Sequence, residues 1–345
     1  MLREMWKNKY KFVFCMLLAI SLAGGIFTKV YIGLEGQEEE KKLRVVASFY
    51  PVYIAAQNVV GNCEGIELEN LSEPQTGCLH DYQLTPQDMI LLSKADLFLV
   101  NGGGIEGFLG EVGESYPTLD VVKITEGMDL LPESGNGHVH AKEEGRENAP
   151  GGDEDGENIP GREDGGKNAH GWMDTRIYAQ MVENITGSLS KLDPGHADIY
   201  QQNARRYCEK IEALSDQVSE IREHLSGEGT EAPSVVIFHE AYAYVAEEYG
   251  LHTAYCLNLD EERQISAREV AEVMEEIEEN HAVAVLAEEQ YGKSLGDTVE
   301  AETDCGVTYL DPLVRGDYSA DSYLTAMQEN IDKIRRAVNR FGRET

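Results

Sequence analysis

The chain has 345 residues, 41% of them hydrophobic, and 63 acidic against 29 basic residues give it a formal net charge of −34. This length supplies enough apolar residues for one or two folded domains, and length alone favours two. Strong negative charge repels nucleic acid and anionic membranes, so nucleic-acid partners are excluded. The same field attracts cations, although salt screens most of it.

The N-terminus has the pattern of an export signal. Basic residues at positions 3, 7, 9 and 11 precede an apolar run from Phe12 to Phe27. A basic start and a short apolar stretch direct a chain to the secretion machinery, and the positive flank places the remainder outside the cytoplasm. Cys15 lies inside the run rather than after it, which disfavours a lipid-modified cysteine. We therefore expect a protein at the outer face of the cytoplasmic membrane, either anchored by residues 1–42 or released by cleavage.

The next part of the chain predicts an N-terminal α/β lobe over residues 43–195. Apolar runs bounded by polar residues are typical of buried parallel strands, and segments of helical spacing lie between them. Strands that alternate with helices indicate a mostly parallel sheet flanked by helices. The predicted strands are Leu43–Phe49, Ile66–Leu71 and Ala95–Val100, and the predicted helices are Pro51–Val60 and Pro86 to about Lys94.

A low-complexity insert interrupts this lobe over residues 133–169. It is rich in Gly, Glu, Asp and Asn and lacks the apolar content needed to fold, so we expect it to bury nothing. A segment that begins at position 147 repeats at 157 and again at 167, which indicates local duplication beside His170. His138 and His140, in H-x-H spacing, either collect metal weakly or belong to a plain linker.

Two helices and a second α/β lobe follow. A helix of about 29 residues would be roughly 43 Å long, so residues 196–225 are expected to bridge two domains. Residues 226–345 again alternate strand and helix patterns. The expected fold class is α/β, with two lobes, each a mostly parallel sheet flanked by helices, joined by one long rigid helix. The predicted elements are helices Thr175–Leu192 and Ala197–Leu225, strands Ser234–Phe238, Thr253–Cys256, Val283–Ala287 and Val307–Leu310, and helices Ala241–Tyr249, Ala267–Asn280 and Ser322–Phe341.

Three histidines and one aspartate occupy positions where an element meets a loop. His239 and Asp311 directly follow predicted strands, His80 precedes a Thr-Pro helix start, and His170 ends the insert. Ligands of open α/β sheets bind at the carboxyl ends of strands. Any one of these histidines alone is better explained as an ordinary polar residue. Together, three imidazoles and one carboxylate form a donor set that zinc prefers, so they predict a metal site.

The motifs around these residues resemble those of the zinc- and manganese-binding solute-binding proteins of ABC importers. Four motifs, one around each of the candidate metal ligands, stand in the family's order, and the resemblance covers essentially the whole exported region. Leu79 stands where proline is usual, and Ala169 and Gly171 flank the second histidine where proline and a larger residue are usual. The matching segments are Val45–Pro51, Cys78–Asp88, Asn101–Glu106, Asn168–Asp174, Phe238–Tyr242 and Leu310–Leu313.

The resemblance implies that the metal lies between the two lobes and is delivered to a membrane permease, with no enzymatic activity. The family's third ligand position is His or Glu, and His239 stands there. Zinc tolerates more imidazole, whereas manganese favours harder carboxylate oxygens, so we expect Zn²⁺. A manganese-specific protein of the same type is the alternative. We expect the protein to be a monomer.

Two other classes of function are open at this point. A zinc hydrolase would use Glu240 as general base, but the chain lacks the second histidine of an H-E-x-x-H motif. A surface adhesin would use the metal only for stability.

The cysteines are not spaced for a thiolate zinc site, because no C-x-x-C pair is present. In an oxidising compartment the natural disulfide pairs are Cys63 with Cys78 and Cys256 with Cys305, which leaves Cys208 over. The alternative is that all of them are buried apolar thiols.

Overall fold

The protein was studied as a computed structural model that describes residues 9–35, 42–72, 79, 82–134, 137–138, 166–226, 232–259 and 263–341. The chain divides into two compact units, residues 1–43 and residues 44–345. The first unit contains helix α1, Lys9–Glu35. Its segment Lys11–Lys29 is long and apolar enough to cross a membrane, and none of it is buried.

The second unit begins with a four-stranded sheet in the order β2-β1-β3-β4. Strands β1, β3 and β4 are parallel to one another. All four residues of β3 are buried, as expected for a parallel strand covered on both faces. The elements are β1 (Leu43–Ala47), α2 (Tyr50–Val60), β2 (Ile66–Asn70), α3 (Pro86–Leu92), β3 (Leu97–Val100), α4 (Leu109–Ser115) and β4 (Asp120–Lys123).

The second sheet has the order β5-β7-β6-β8-β9, in which β5 is antiparallel and the others are parallel. Its core is formed by apolar side chains of the strands and of the helices that follow them. The elements are β5 (Gly137–His138), β6 (Ser234–Ile237), α7 (Tyr242–Tyr249), β7 (His252–Cys256), α8 (Ala267–Glu279), β8 (Ala284–Ala287), α9 (Glu289–Glu302), β9 (Gly306–Tyr309) and α10 (Ser322–Phe341).

Helices α5 (Thr175–Leu192) and α6 (Ala197–Leu225) connect the two sheets. Asp174 caps the start of α5 by accepting the N–H groups of Arg176 and Ile177. The 29-residue helix α6 buries one face, which packs on α2 and α5 of the first lobe and on α7 and α10 of the second. The predicted fold of two lobes joined by one long helix is therefore confirmed.

The predicted disulfide pairs are wrong. Cys256 lies on β7 and Cys305 directly precedes β9, and two strands lie between them. At about 4.8 Å per strand the separation is roughly 14 Å, about twice the Cα–Cα distance that a disulfide spans. Cys63 also carries a free thiol, while Cys78 lies outside the described residues.

Candidate metal centre

His170 lies between the two lobes, directly before a 3₁₀ turn, Gly171–Met173, that leads into α5. Its side chain is fully buried. The loop before it is held from the first lobe, since the Asn101 side-chain amide donates to the carbonyl of Ala169 at 2.9 Å. It is held from the second lobe by Tyr244, whose hydroxyl donates to the carbonyl of Asn168 at 2.6 Å. A metal bound to this imidazole would be shielded from water.

The side chain of Asn168 fixes which nitrogen of His170 can bind a metal. Its Nδ2 donates to the main-chain carbonyl of Glu240 at 2.8 Å, so its Oδ1 must be the atom that faces the ring. That oxygen lies 2.8 Å from Nδ1 of His170 and also accepts the His170 backbone N–H at 3.1 Å. Nδ1 therefore carries the hydrogen, and Nε2 keeps a lone pair. Hydrogen bonds of this kind orient histidine ligands at metal sites.

His239 follows β6 and faces His170. The two imidazole centroids are 5.0 Å apart, and the rings are perpendicular. His239 is partly exposed, in contrast to His170. Its Nδ1 accepts the backbone N–H of Ala241 at 3.1 Å. Binding a metal through Nε2 needs the hydrogen on Nδ1, so this ring has to turn away from Ala241 when it coordinates.

Asp311 follows β9, at the same end of the sheet as His239. Its backbone is fixed by two hydrogen bonds with the Asn330 side chain, each 2.8 Å long. Oδ1 accepts the N–H of Leu313 at 2.7 Å, and Oδ2 makes no hydrogen bond to any described residue. The carboxylate therefore has one oxygen available for a cation.

Two buried aromatic side chains tie the Asp311 segment to the two histidines. Trp172, two residues after His170, donates its indole N–H to the carbonyl of Pro312 at 2.9 Å. Tyr242, three residues after His239, donates its hydroxyl to the carbonyl of Leu310 at 3.2 Å. The carbonyls on both sides of Asp311 are thus held by the segments that carry the histidines. The structure brings these three sequence-predicted residues into one region between the lobes.

Glu240 is a neighbour of the site that was considered on sequence grounds only as a hydrolytic base. Its Oε1 lies 3.7 Å from Nδ1 of His170. The Glu240 side chain is only 11% exposed, so it places a carboxyl group beside the buried imidazole.

A buried carboxyl group holds the turn that supports the His170 loop. Glu106 is completely buried and accepts hydrogen bonds from the Ser48 hydroxyl and from the backbone N–H groups of Asn101 and Gly102. Burial raises the pKa of Glu106 to about 7, although these hydrogen bonds oppose the increase. Gly102 adopts a left-handed conformation with φ of 86°, which a glycine tolerates best.

A second buried carboxyl lies beside the start of α5. Glu248 accepts hydrogen bonds from the hydroxyl and the backbone N–H of Thr175. Burial first, and the neighbouring Asp174 carboxylate second, raise the pKa of Glu248 to about 8. Neither supporting carboxyl was predicted, because a single acidic residue in an acidic chain gives no sequence signal of burial.

Two further sequence predictions concern parts of this region. His80 and His140 lie outside the described residues, and only the backbone pairing of His138 in β5 is described.

The prediction that the insert buries nothing is wrong at its end, since Asn168 and Ala169 are buried. Its flanks are also paired, by backbone hydrogen bonds from Glu133 to Gly166 and from Asn168 to Leu131. Residues 139–165 lie outside the described residues.

The family model described as "Zinc-uptake complex component A periplasmic" matches residues 45–337. The chain belongs to this family. It is therefore an extracytoplasmic metal-binding solute-binding protein of ABC metal uptake, and the family's members are transport proteins rather than enzymes. The hydrolase hypothesis is thereby set aside.

Similar proteins carry the names of different metals. The iron-binding protein YfeA of Yersinia pestis is 29% identical over 297 residues, which cover 85% of this chain and 86% of YfeA. The manganese-binding lipoprotein MntA of Halalkalibacterium halodurans is 27% identical over 303 residues, which cover 86% and 88%. A solved structure of the solute-binding protein FpvC of Pseudomonas aeruginosa in complex with Ni²⁺ has the same fold. Its TM-score is 0.69 at 22% identity, over 87% of this chain and 98% of FpvC.

Proposed function

We propose that this protein binds Zn²⁺ between its lobes through His80, His170, His239 and Asp311 and delivers it to the permease of an ABC importer. The observation that carries the proposal is the opposed pair of imidazoles, of which the His170 ring is oriented through its Nδ1 by Asn168. A carboxylate with one free oxygen is held by hydrogen bonds from both histidine segments. His80 precedes helix α3 on the first lobe and would supply the fourth donor.

The donor set favours zinc over the other metals named among the relatives. Three imidazoles and one carboxylate are a preferred zinc set, and nitrogen ligands bind zinc more tightly than manganese or iron(II) in the Irving–Williams order. A manganese site would need further carboxylate oxygens at the ion. Of the four proposed ligands, only Asp311 supplies a carboxylate.

Metal release would depend on the contacts that close the lobes around the site. The ring of Tyr323 in α10 stacks on Tyr178 of α5 with centroids 3.6 Å apart, and its hydroxyl donates to the carbonyl of Trp172 at 2.9 Å. The hydroxyls of Tyr50 and Ser322 also join the lobes at 2.7 Å. We propose that the permease binds both lobes, 43–195 and 226–345, of a monomer and separates these contacts.

The localisation of the protein depends on its first unit, residues 1–43. We propose that α1 keeps the protein at the outer face of the membrane, because the apolar part of this helix is long enough to span a bilayer. Released protein after cleavage is the other outcome. Edman sequencing or intact mass of the mature protein from the membrane and medium fractions decides between them.

Metal competition tests the choice of zinc. Protein purified without added metal is stripped, then titrated with Zn²⁺, Mn²⁺ and Fe²⁺ against chelators of known affinity. The proposal expects zinc to bind orders of magnitude more tightly than manganese. Equal or tighter binding of manganese would assign the protein to the manganese alternative.

A further inference from the structure

A cluster of metal-binding side chains lies in the first lobe, away from the centre between the lobes. Cys63 follows the end of α2, and Asp193 and His196 lie in the turn that joins α5 to α6. Their ligand atoms, one each of sulfur, oxygen and nitrogen, all lie within 4.8 Å of one another. Among the described residues, this is the group of at least three His, Cys, Asp or Glu side chains whose ligand atoms all lie this close together. Helix α2, about 16 Å long, separates the cluster from Phe49, which packs on Trp172.

The hydrogen bonds of the cluster show what a cation would replace. The Tyr200 hydroxyl donates to Oδ2 of Asp193 at 2.6 Å, and Nδ1 of His196 lies 2.7 Å from the same oxygen. Since the Tyr200 hydrogen is used, the thiol of Cys63 donates to the Tyr200 oxygen, 3.6 Å away. Oδ2 of Asp193 is therefore shared by Tyr200 and His196, and the Cys63 thiol is the last member of this series of hydrogen bonds.

The cluster is buried on one side and open on the other. Cys63 is 8% exposed, whereas the side chains of Asp193 and His196 are 14% and 42% exposed. An ion could thus enter past His196 and reach the thiol. Gly65 leaves room beside the imidazole, because a Cβ there would lie only 3.1 Å from Cε1 of His196 and 3.4 Å from its Nδ1.

We propose that Cys63, Asp193 and His196 form a second divalent-metal site, suited to Zn²⁺, on the first lobe. Thiolate, imidazole and carboxylate are all zinc ligands, with bond lengths of about 2.0–2.3 Å. In a tetrahedral site their donor atoms would be roughly 3.3–3.8 Å apart. Each donor therefore has to move by about an ångström or less from its position here, and water or the Tyr200 oxygen completes the set.

Binding releases one proton from the cluster. The Cys63 sulfur–hydrogen bond breaks, the proton leaves to solvent, and the thiolate electron pair binds the ion. When the His196 ring is neutral, the hydrogen on Nδ1 moves to Nε2, and Nδ1 becomes a ligand. Burial raises the pKa of Asp193, but the hydrogen bonds from Tyr200 and His196 together outweigh it and lower the pKa below its usual value, so Asp193 is already an anion. Affinity at this site should accordingly fall as the pH decreases.

Cobalt titration tests the site, since a thiolate bound to Co²⁺ gives an intense near-ultraviolet charge-transfer band that imidazole and carboxylate ligands do not. The full chain in detergent, with its thiols confirmed as reduced, is titrated with Co²⁺. We expect this band to saturate by about two equivalents of added Co²⁺, because the centre between the lobes also takes one ion. It should disappear in Cys63→Ser and weaken at least tenfold in His196→Ala and in Gly65→Ala, which keeps every donor but fills the space beside His196.

Two controls separate this site from the centre between the lobes and from other cysteines. His239→Ala should keep the band although it weakens the main site, and Cys208→Ser, which removes a half-buried thiol of α6, should keep it too. Circular dichroism confirms that each variant is folded. A saturated, reduced protein without the band, or a band that survives in Cys63→Ser, would overturn the proposal.

Discussion

The orientation of His170 by Asn168 gives the most specific prediction about the metal centre. In Asn168→Ala the imidazole loses the acceptor at 2.8 Å from its Nδ1, which is the hydrogen bond that sets its tautomer and its angle. Loss of such a partner typically weakens metal binding about 10–100-fold, or about 1.4–2.7 kcal/mol. The carbonyl of Glu240 also loses the Asn168 amide but keeps the N–H of Ala243 at 3.0 Å, so the loss of this one hydrogen bond should cost about 0.5–1.5 kcal/mol of folding stability.

Asn101→Ala is the matched control for this variant. Asn101 is also a buried asparagine whose amide holds the same loop, but it contacts the carbonyl of Ala169 and not the ring of His170. We expect a similar loss of stability and a much smaller loss of zinc affinity. Asn168→Asp keeps an acceptor for Nδ1 and should bind zinc more tightly than Asn168→Ala.

Chelator competition gives the zinc affinity of each variant, and urea unfolding of the metal-stripped protein gives its stability. The combination separates an effect on the ligand from an effect on the loop. If Asn168→Ala binds zinc within about twofold of the wild type, the hydrogen bond does not control the ligand. A loss of zinc affinity in Asn101→Ala as large as that in Asn168→Ala would also contradict a specific role of the Asn168–His170 hydrogen bond.

Three further predictions concern pH and the insert. Glu106 holds its proton more tightly in the folded state than in the unfolded state. The free energy of unfolding should therefore fall by about 3 kcal/mol as the pH rises from about 4.5 to about 7. In Glu106→Gln, urea unfolding at a series of pH values should show a flatter dependence over this range. Zinc affinity should decrease below pH 6.5, by up to about tenfold per pH unit for each ligand histidine, and an affinity that is flat from pH 7.5 to 5 would exclude imidazole ligands. Deletion of residues 139–165 should leave the melting temperature and the zinc affinity within error, whereas a deletion extended through Asn168 should reduce both, because Asn168 is buried against His170.

The sequence predicts the regular parts of this fold well because their signals are local. Continuous apolar runs identify β1, β3, β6 and β8, which are covered on both faces. One buried stripe in α6, repeating every three or four residues, identifies the long helix. The strand β4 was missed because its residues are only partly buried or exposed. Helix α9 was missed because Gly292 and Gly296, which pack closely against Phe238 and Tyr309, weaken its helical pattern.

The metal centre is less predictable than the fold, because its geometry depends on contacts between distant segments. The positions of His170, His239 and Asp311 at element ends are visible in the sequence, but their hydrogen-bonded neighbours are not. Trp172 reaches Pro312 across 140 positions. The predicted disulfide between Cys256 and Cys305 failed for the same reason, since sequence spacing does not show that β6 and β8 separate the two residues.

Zinc content is the most direct test of the four-residue metal centre. The variant His80→Ala/His170→Ala/His239→Ala is purified without added metal in a Cys63→Ser background, so that the second site does not contribute. It is compared with His224→Ala/His252→Ala in the same background, which removes two exposed histidines outside the centre. We predict about one tightly held zinc ion in the control and none in the variant, by elemental analysis and chelator competition. A variant that still holds one equivalent at the control's affinity would contradict it.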